Sequence, residues 1–176
     1  PINPGNSGGA LVDVSGRLIG INTSILSRSG GSNGIGFAIP ADLVAEFVAQ
    51  AVEGRRSFGR PWAGISGQPL DSDMAATLGF DRSGGIIISG LHSASPFSKA
   101  GLEVGDVILA VGGQSVNTPS EMVYRMSVAG LGTEVEVQFS RQGEDQMTMV
   151  DLIAAPEVPA RDALTLPERS AFPALT

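Results

Sequence analysis

The residues best able to do chemistry stand at the start of the chain, where Asn3-Pro4-Gly5-Asn6-Ser7-Gly8-Gly9 sets one hydroxyl among three glycines. Glycine lets a backbone turn tightly and approach a substrate with no Cβ in the way. Such a loop can present a serine nucleophile and aim backbone N–H groups, here those of Gly5 and Ser7, at a developing oxyanion. A serine hydroxyl attacks only when a neighbouring base takes its proton. The only histidine is His92, far downstream, and only six residues precede Ser7. Asp13 falls in a hairpin strand and Asp42 suits a helix cap, so neither is expected to serve Ser7. A plain glycine-rich turn would use the same tetrapeptide, so the flanking sequence has to decide.

Apolar, β-branched runs over 9–14 and 17–23 are separated by Ser15-Gly16, the pattern of a hairpin. A polar, glycine-rich loop over 27–33 follows, then a third strand over 34–39 stopped by Pro40. Asp42 is expected to cap a helix in which Leu43, Val44, Phe47, Val48 and Val52 recur at helical spacing. Arg55-Arg56-Ser57-Phe58-Gly59-Arg60-Pro61 breaks that pattern and reads as a solvated linker. Beyond it, strands are expected over 62–68, 85–90, 106–111, 134–140 and 146–153, with helices over 72–78 and 120–128 and a helical turn near 96–100. This is a compact α+β module. From 156 the chain is rich in Pro, Ala and charge without a sustained period, as in a linker or disordered tail.

With these flanks in view, Asn3-Pro4-Gly5-Asn6-Ser7-Gly8-Gly9-Ala10-Leu11, then Ile19-Gly20-Ile21-Asn22-Thr23, then Gly34-Ile35-Gly36-Phe37-Ala38-Ile39-Pro40 closely resemble the HtrA/Deg family of trypsin-fold serine peptidases. The resemblance implies that Ser7 is the nucleophile and that Gly5 and Ser7 supply the oxyanion-hole amides. It also implies that Ile21, Asn22 and Thr23 pair with substrate backbone, while Ile35, Gly36 and Phe37 wall a primary pocket for small or medium apolar side chains. In this family the catalytic His and Asp precede the serine. Losing the histidine of such a triad costs about six orders of magnitude in turnover. This chain alone is therefore expected to be inactive, and residues 1–53, taken from a larger barrel, to be unstable alone. They are expected to associate with the missing part of the protease domain or to self-pair.

Residues 61–155 resemble a bacterial PDZ domain of the type that follows HtrA peptidases. The match runs through Ser95-Pro96-Phe97-Ser98-Lys99-Ala100-Gly101-Leu102-Glu103-Val104-Gly105-Asp106-Val107-Ile108. PDZ domains capture C-terminal peptides as an added strand, with backbone amides cradling the carboxylate. The matching cradle is Trp62-Ala63-Gly64-Ile65, where Ala63 replaces a usual large residue, and Ile65, Ser66 and Gly67 would supply the pairing edge. Met122, Val123 and Met126 are the candidates for the opposing helical wall, although helical spacing alone more often means core. His92 is expected to be solvated or hydrogen-bonded in its loop. Arg55, Arg56 and Arg60 are either solvated or assist carboxylate binding.

Composition narrows the rest. A net charge of −7 and a pI near 4.6, without any basic run, argue against nucleic acid. No apolar stretch reaches membrane-spanning length, and without cysteine there is no disulfide, thiol chemistry or Cys-type zinc site. No cofactor or metal is expected. The resulting fold class is mainly β with α+β: the last strands of a trypsin-like barrel over 1–54, a linker over 55–60, a PDZ domain over 61–155 and a tail over 156–176. The expected partners are unfolded or C-terminal peptides, and the family implies a periplasmic or envelope location for the parent protein. The alternative is a non-catalytic PDZ adaptor.

Overall fold

The computed structural model describes residues 5–25 and 35–157, with the Ile25 side chain not described. The loop expected over 27–33, the expected strand start at Gly34, and the tail from residue 158 lie outside the described residues.

Three antiparallel strands, β1 (Ala10–Val12), β2 (Leu18–Ile25) and β3 (Gly36–Pro40), form the first sheet in sequence order. Asp13 lies in the turn between β1 and β2 rather than in a strand. Its Oδ1 accepts from the N–H groups of Ser15 (2.8 Å) and Arg17 (3.0 Å), and its Oδ2 meets Arg17 Nε at 2.8 Å. An aspartate that satisfies nearby backbone donors in this way builds a turn instead of extending a strand. Helix α1 (Ala41–Val52) follows β3 directly. Its N-cap is Pro40 with no side-chain cap, so Asp42 sits inside the first turn and favours the helix dipole rather than capping it.

The second sheet has the order β4 (Ile65–Pro69), β5 (Ile86–Leu91), β6 (Val107–Val111), β8 (Glu134–Arg141), β9 (Glu144–Asp151). A two-residue strand β7 (Gln114–Ser115), too short to show a period in sequence, pairs with β6. Strand β4 starts three residues later than the composition suggests, because Gly64 takes φ +64° and turns the chain before pairing begins. Strand alternation loads both faces of this sheet. Ile86, Ile88 and Ile108 join Phe97, Leu102 and Met126 in the main core. Ile87 and Leu109 face the other way, against Leu70 and Ala75.

Helix α2 (Ser72–Leu78) is capped by Asp71, α3 (Pro96–Lys99) by Ser95, and α4 (Pro119–Ala129) by Thr118. Asp106, 2% exposed, is held by a two-pronged pair with Arg141 (2.8 and 2.7 Å) and by the Glu103 N–H (2.8 Å). No helix among the described residues is long and apolar enough to cross a membrane.

Within the segment over 55–60, Arg55, Arg56 and Arg60 are exposed, while Phe58 and Gly59 are held against α1. Gln50 on α1 is buried and bonds Gly59 in both directions, Phe47 packs on Phe58 at 5.5 Å, and Arg60 lies over the Phe58 ring at 5.9 Å.

Candidate functional site

The serine loop is shaped by its glycines and tied to β2. Gly5 (φ +100°) and Gly8 (φ +82°) adopt left-handed conformations, and a Cβ on Gly9 would lie 2.9 Å from the Asn6 carbonyl oxygen. Gly8 N–H donates to Asn22 O (2.8 Å) and Asn22 N–H donates to Gly9 O (2.9 Å). Ser7 is exposed, and its hydroxyl donates to the Thr23 carbonyl at 2.8 Å. A backbone carbonyl cannot remove that proton, so the hydroxyl rests in an unactivated state.

Thr23 in turn donates from Oγ1 to Phe37 O at 3.1 Å, which joins the strand assigned to substrate pairing with the one assigned to the pocket wall. Ile21, Asn22 and Thr23 lie on β2. Gly36 and Phe37 lie on β3, and Ile35 immediately precedes it. Ile35 and Phe37 are half-exposed. Asn22 is buried, and its Oδ1 has no hydrogen-bond partner among the described residues.

The second site is an open groove of about 570 Å³ between the β4 edge and α4. Among the described residues strand β4 ends its sheet, with only one of its edges paired, to β5. The cradle is oriented by the bonds its carbonyls accept. Ala63 O takes the Ser95 hydroxyl (2.5 Å) and Gly64 O takes the His92 N–H (2.8 Å). In a planar trans peptide, C=O and N–H point in opposite directions. The Gly64 and Ile65 amides therefore turn away from Ser95 and His92. Successive amides beside a left-handed residue make an anion-binding concavity. Gly64 is obligatory here, since a Cβ would lie 2.7 Å from the Trp62 ring and 2.9 Å from Ser95 Cβ.

Trp62, Ala63, Gly64, Ile65 and Ser66 line this groove together with Met122 and Val123. Gly67 continues β4 beyond them. Met126 does not face the groove: it is fully buried in the core, one helical turn behind Met122. Three further groups escaped sequence reasoning. Ser95 anchors the cradle while capping α3, a role that the Ser-Pro pair announces only as a cap. Leu91 and His92 reach the groove from β5 and the loop after it, and nothing in the local sequence signals that.

Comparison with known proteins follows the same division. The trypsin family model matches residues 1–48 and the PDZ domain model matches residues 62–152. A probable periplasmic serine endoprotease DegP-like of Marinomonas sp. (strain MWYL1) is 39% identical over 158 residues, covering 90% of this chain and 34% of the relative. A probable periplasmic serine protease do/HhoA-like of Haemophilus influenzae is 37% identical over 181 residues, covering 97% of this chain and 38% of the relative. Among solved structures, the HtrA-type protease AlgW with a decapeptide superposes with a TM-score of 0.61 at 37% identity, covering 88% of this chain and 47% of AlgW. The chain thus spans about a third of the length of the curated relatives it matches. It belongs to the PDZ-domain family, and it is similar to HtrA-type serine proteases over the end of their trypsin-like domain and the PDZ domain that follows.

Proposed function

We propose that this chain captures the C-terminal ends of polypeptides in the groove between β4 and α4. In the parent protein, a periplasmic serine endoprotease, Ser7 would be the nucleophile. The observation that carries the capture reading is the unpaired β4 edge ending in a cradle whose Gly64 and Ile65 amides turn away from the carbonyl-bonded side. An entering peptide gains main-chain pairing along β4 and a place for its carboxylate at the cradle. The solved AlgW relatives carry a decapeptide or a tripeptide, and the curated relatives are named periplasmic endoproteases, which supports both halves of the proposal.

For the protease half, the N–H groups of Gly5 and Ser7 would hold the oxyanion, β2 would pair with substrate around Ile21–Thr23, and residues 35–37 would wall the specificity pocket. Leu11, Val12, Leu18, Ile19, Phe37 and Ile39 are large apolar side chains left exposed on the first sheet. The rest of a trypsin-like barrel would cover them, and self-association is the alternative cover. Within the chain itself the Ser7 hydroxyl donates to Thr23 O rather than to a base, and the chemistry proposed for this chain is capture.

The test is fluorophosphonate labelling read by intact mass on this chain and on Ser7→Ala. The expected result is no adduct on either. A Ser7-dependent adduct at enzyme-like rates would mean that a base reaches Ser7 and that this chain is active as it stands.

A further inference from the structure

The outer rim of the groove carries a pair of side chains that peptide pairing and carboxylate capture leave without a role. The Trp62 and His92 rings meet edge to face, with centroids 5.3 Å apart and planes 72° apart, and both line the groove. The His92 ring is held in one tautomer. Its Nδ1 accepts the Ala94 N–H at 3.0 Å, and a nitrogen that accepts carries no proton, so the neutral ring bears its hydrogen on Nε2. His92 is exposed, which leaves that Nε2–H free to serve a ligand.

Strand geometry says which part of a peptide meets this pair. In β5 the register jumps from Gly90, opposite Ser66, to Ile88, opposite Gly67, so Ser89 is the extra residue of a β-bulge. The bulge resets the alternation. Leu91, opposite Ile65, packs with the main core, while Gly90, opposite Ser66, faces the other side. His92, bonded through its N–H to Gly64 O, continues that outer face. Gly90 supplies no side chain there, and the small Ser66, whose Cβ a Cβ on Gly90 would meet at 3.4 Å, is its neighbour on that face. A peptide strand added to β4 with its last side chain toward Met122 and Val123 must turn the preceding side chain to this outer face, because side chains alternate along a strand.

Resting on the capture reading above, we propose that Trp62 and His92 form a subsite for the penultimate residue of the bound peptide. The subsite selects a flat side chain ending in an sp² oxygen, a carboxylate or carboxamide, which lies against the indole and accepts from His92 Nε2–H.

The test uses fluorescein-labelled octapeptides ending Ala-Val-Xaa-Leu, with Xaa as Glu, Gln, Ala or Lys, bound to the whole chain and followed by anisotropy. Glu and Gln peptides are expected to bind about five-fold tighter than the Ala peptide, the worth of one net hydrogen bond. Lys should gain nothing over Ala. In His92→Ala the ratio of Glu-peptide to Ala-peptide affinity, read within that variant, should fall to about one, and His92→Gln, which keeps a donor, should retain part of the preference. If Glu gains and Gln does not, the selection is by charge and the shared-oxygen assignment is overturned. Equal affinity for all four peptides, or a preference that survives in His92→Ala, overturns the subsite and leaves peptide capture standing. Failure of every peptide to bind overturns both.

Discussion

Gln50 and Gly59 hold each other by two hydrogen bonds, Gly59 N–H to Gln50 Oε1 at 2.8 Å and Gln50 Nε2 to Gly59 O at 3.0 Å. The amide side chain thus substitutes for a strand partner and fastens the connecting segment to α1. Gln50 is 4% exposed and Gly59 half-buried, so removing the amide leaves two partly buried backbone groups without their partner. Each stranded group costs about 1–3 kcal/mol. Gln50→Ala should therefore favour local opening by about 2 kcal/mol, which is roughly a 30-fold rise in the opened fraction. Trypsin cleavage after Arg55 or Arg56 should accelerate by a comparable factor. An unchanged rate would show that the segment is already open in solution.

Gly64→Ala should abolish peptide capture without unfolding the second module. The residue sits at φ +64° with Trp62 ring carbons 2.7 Å from where a Cβ would go. Relief requires the indole to move or the backbone to leave the left-handed region, and either displaces the Gly64 and Ile65 amides. Strain at such a position costs about 1–3 kcal/mol. Anisotropy should show at least a ten-fold loss of affinity, while the fluorescence of Trp62, the only tryptophan, reports its displacement.

The Asp106–Arg141 pair should be the most sensitive polar contact in the PDZ module. Asp106 is almost fully buried and shared between Arg141 and the Glu103 N–H, and Arg141 also donates to Gly101 O at 2.8 Å. Asp106→Ala leaves the partly exposed guanidinium with only Gly101 O and the Glu103 carboxylate, 3.6 Å away, and the Glu103 amide without an acceptor. The loss is mainly that of the buried Glu103 amide left without an acceptor, about 1–3 kcal/mol. Urea unfolding followed by circular dichroism should show that loss as a lower midpoint at unchanged slope. A shift below about 1 kcal/mol would place the pair among weak surface bridges.

How much of this was legible in sequence depended on whether a residue's role is local. The helical turn after Ser95, the strand of Val107 to Val111 and the α2 helix follow from neighbours within a few positions, and the structure places them as the sequence suggests. Gln50 did not announce itself, because a polar residue on an amphipathic helix reads as solvated until its partner nine residues away is folded against it. The same holds for the cradle. Its glycine and flanking residues are visible in the motif, but Ser95 and His92 reach it across 30 or so positions. Met126 was a candidate for the groove wall on spacing alone, and helical period cannot separate a core face from a ligand face one turn away. The bulge at Ser89, which sets the side-chain faces beside the groove, comes from pairing register and has no signature in a single strand.

The hairpin of the first sheet should loosen in acid through Asp13. The Arg17 backbone N–H, then its guanidinium, hold the Asp13 carboxyl below its ordinary value. A carboxyl depressed in the folded state stabilises that state above the unfolded value of about 3.9, and the contribution fades as pH falls through the lower, folded value. The turn should thus be constant from pH 7 to about 5 and begin to fray only below about 4. Amide hydrogen exchange at Ser15 and Arg17, the two donors to Asp13 Oδ1, reads this directly. Their protection relative to a neighbouring strand amide such as Leu11 should fall with acid in the native chain. Asp13→Asn keeps Oδ1 for both amide donors but loses the Oδ2 acceptor of Arg17 Nε and cannot titrate, so its protection should start lower and show no acid step. Protection that falls identically in both chains would assign the acid response to another group and leave Asp13 a purely geometric turn former.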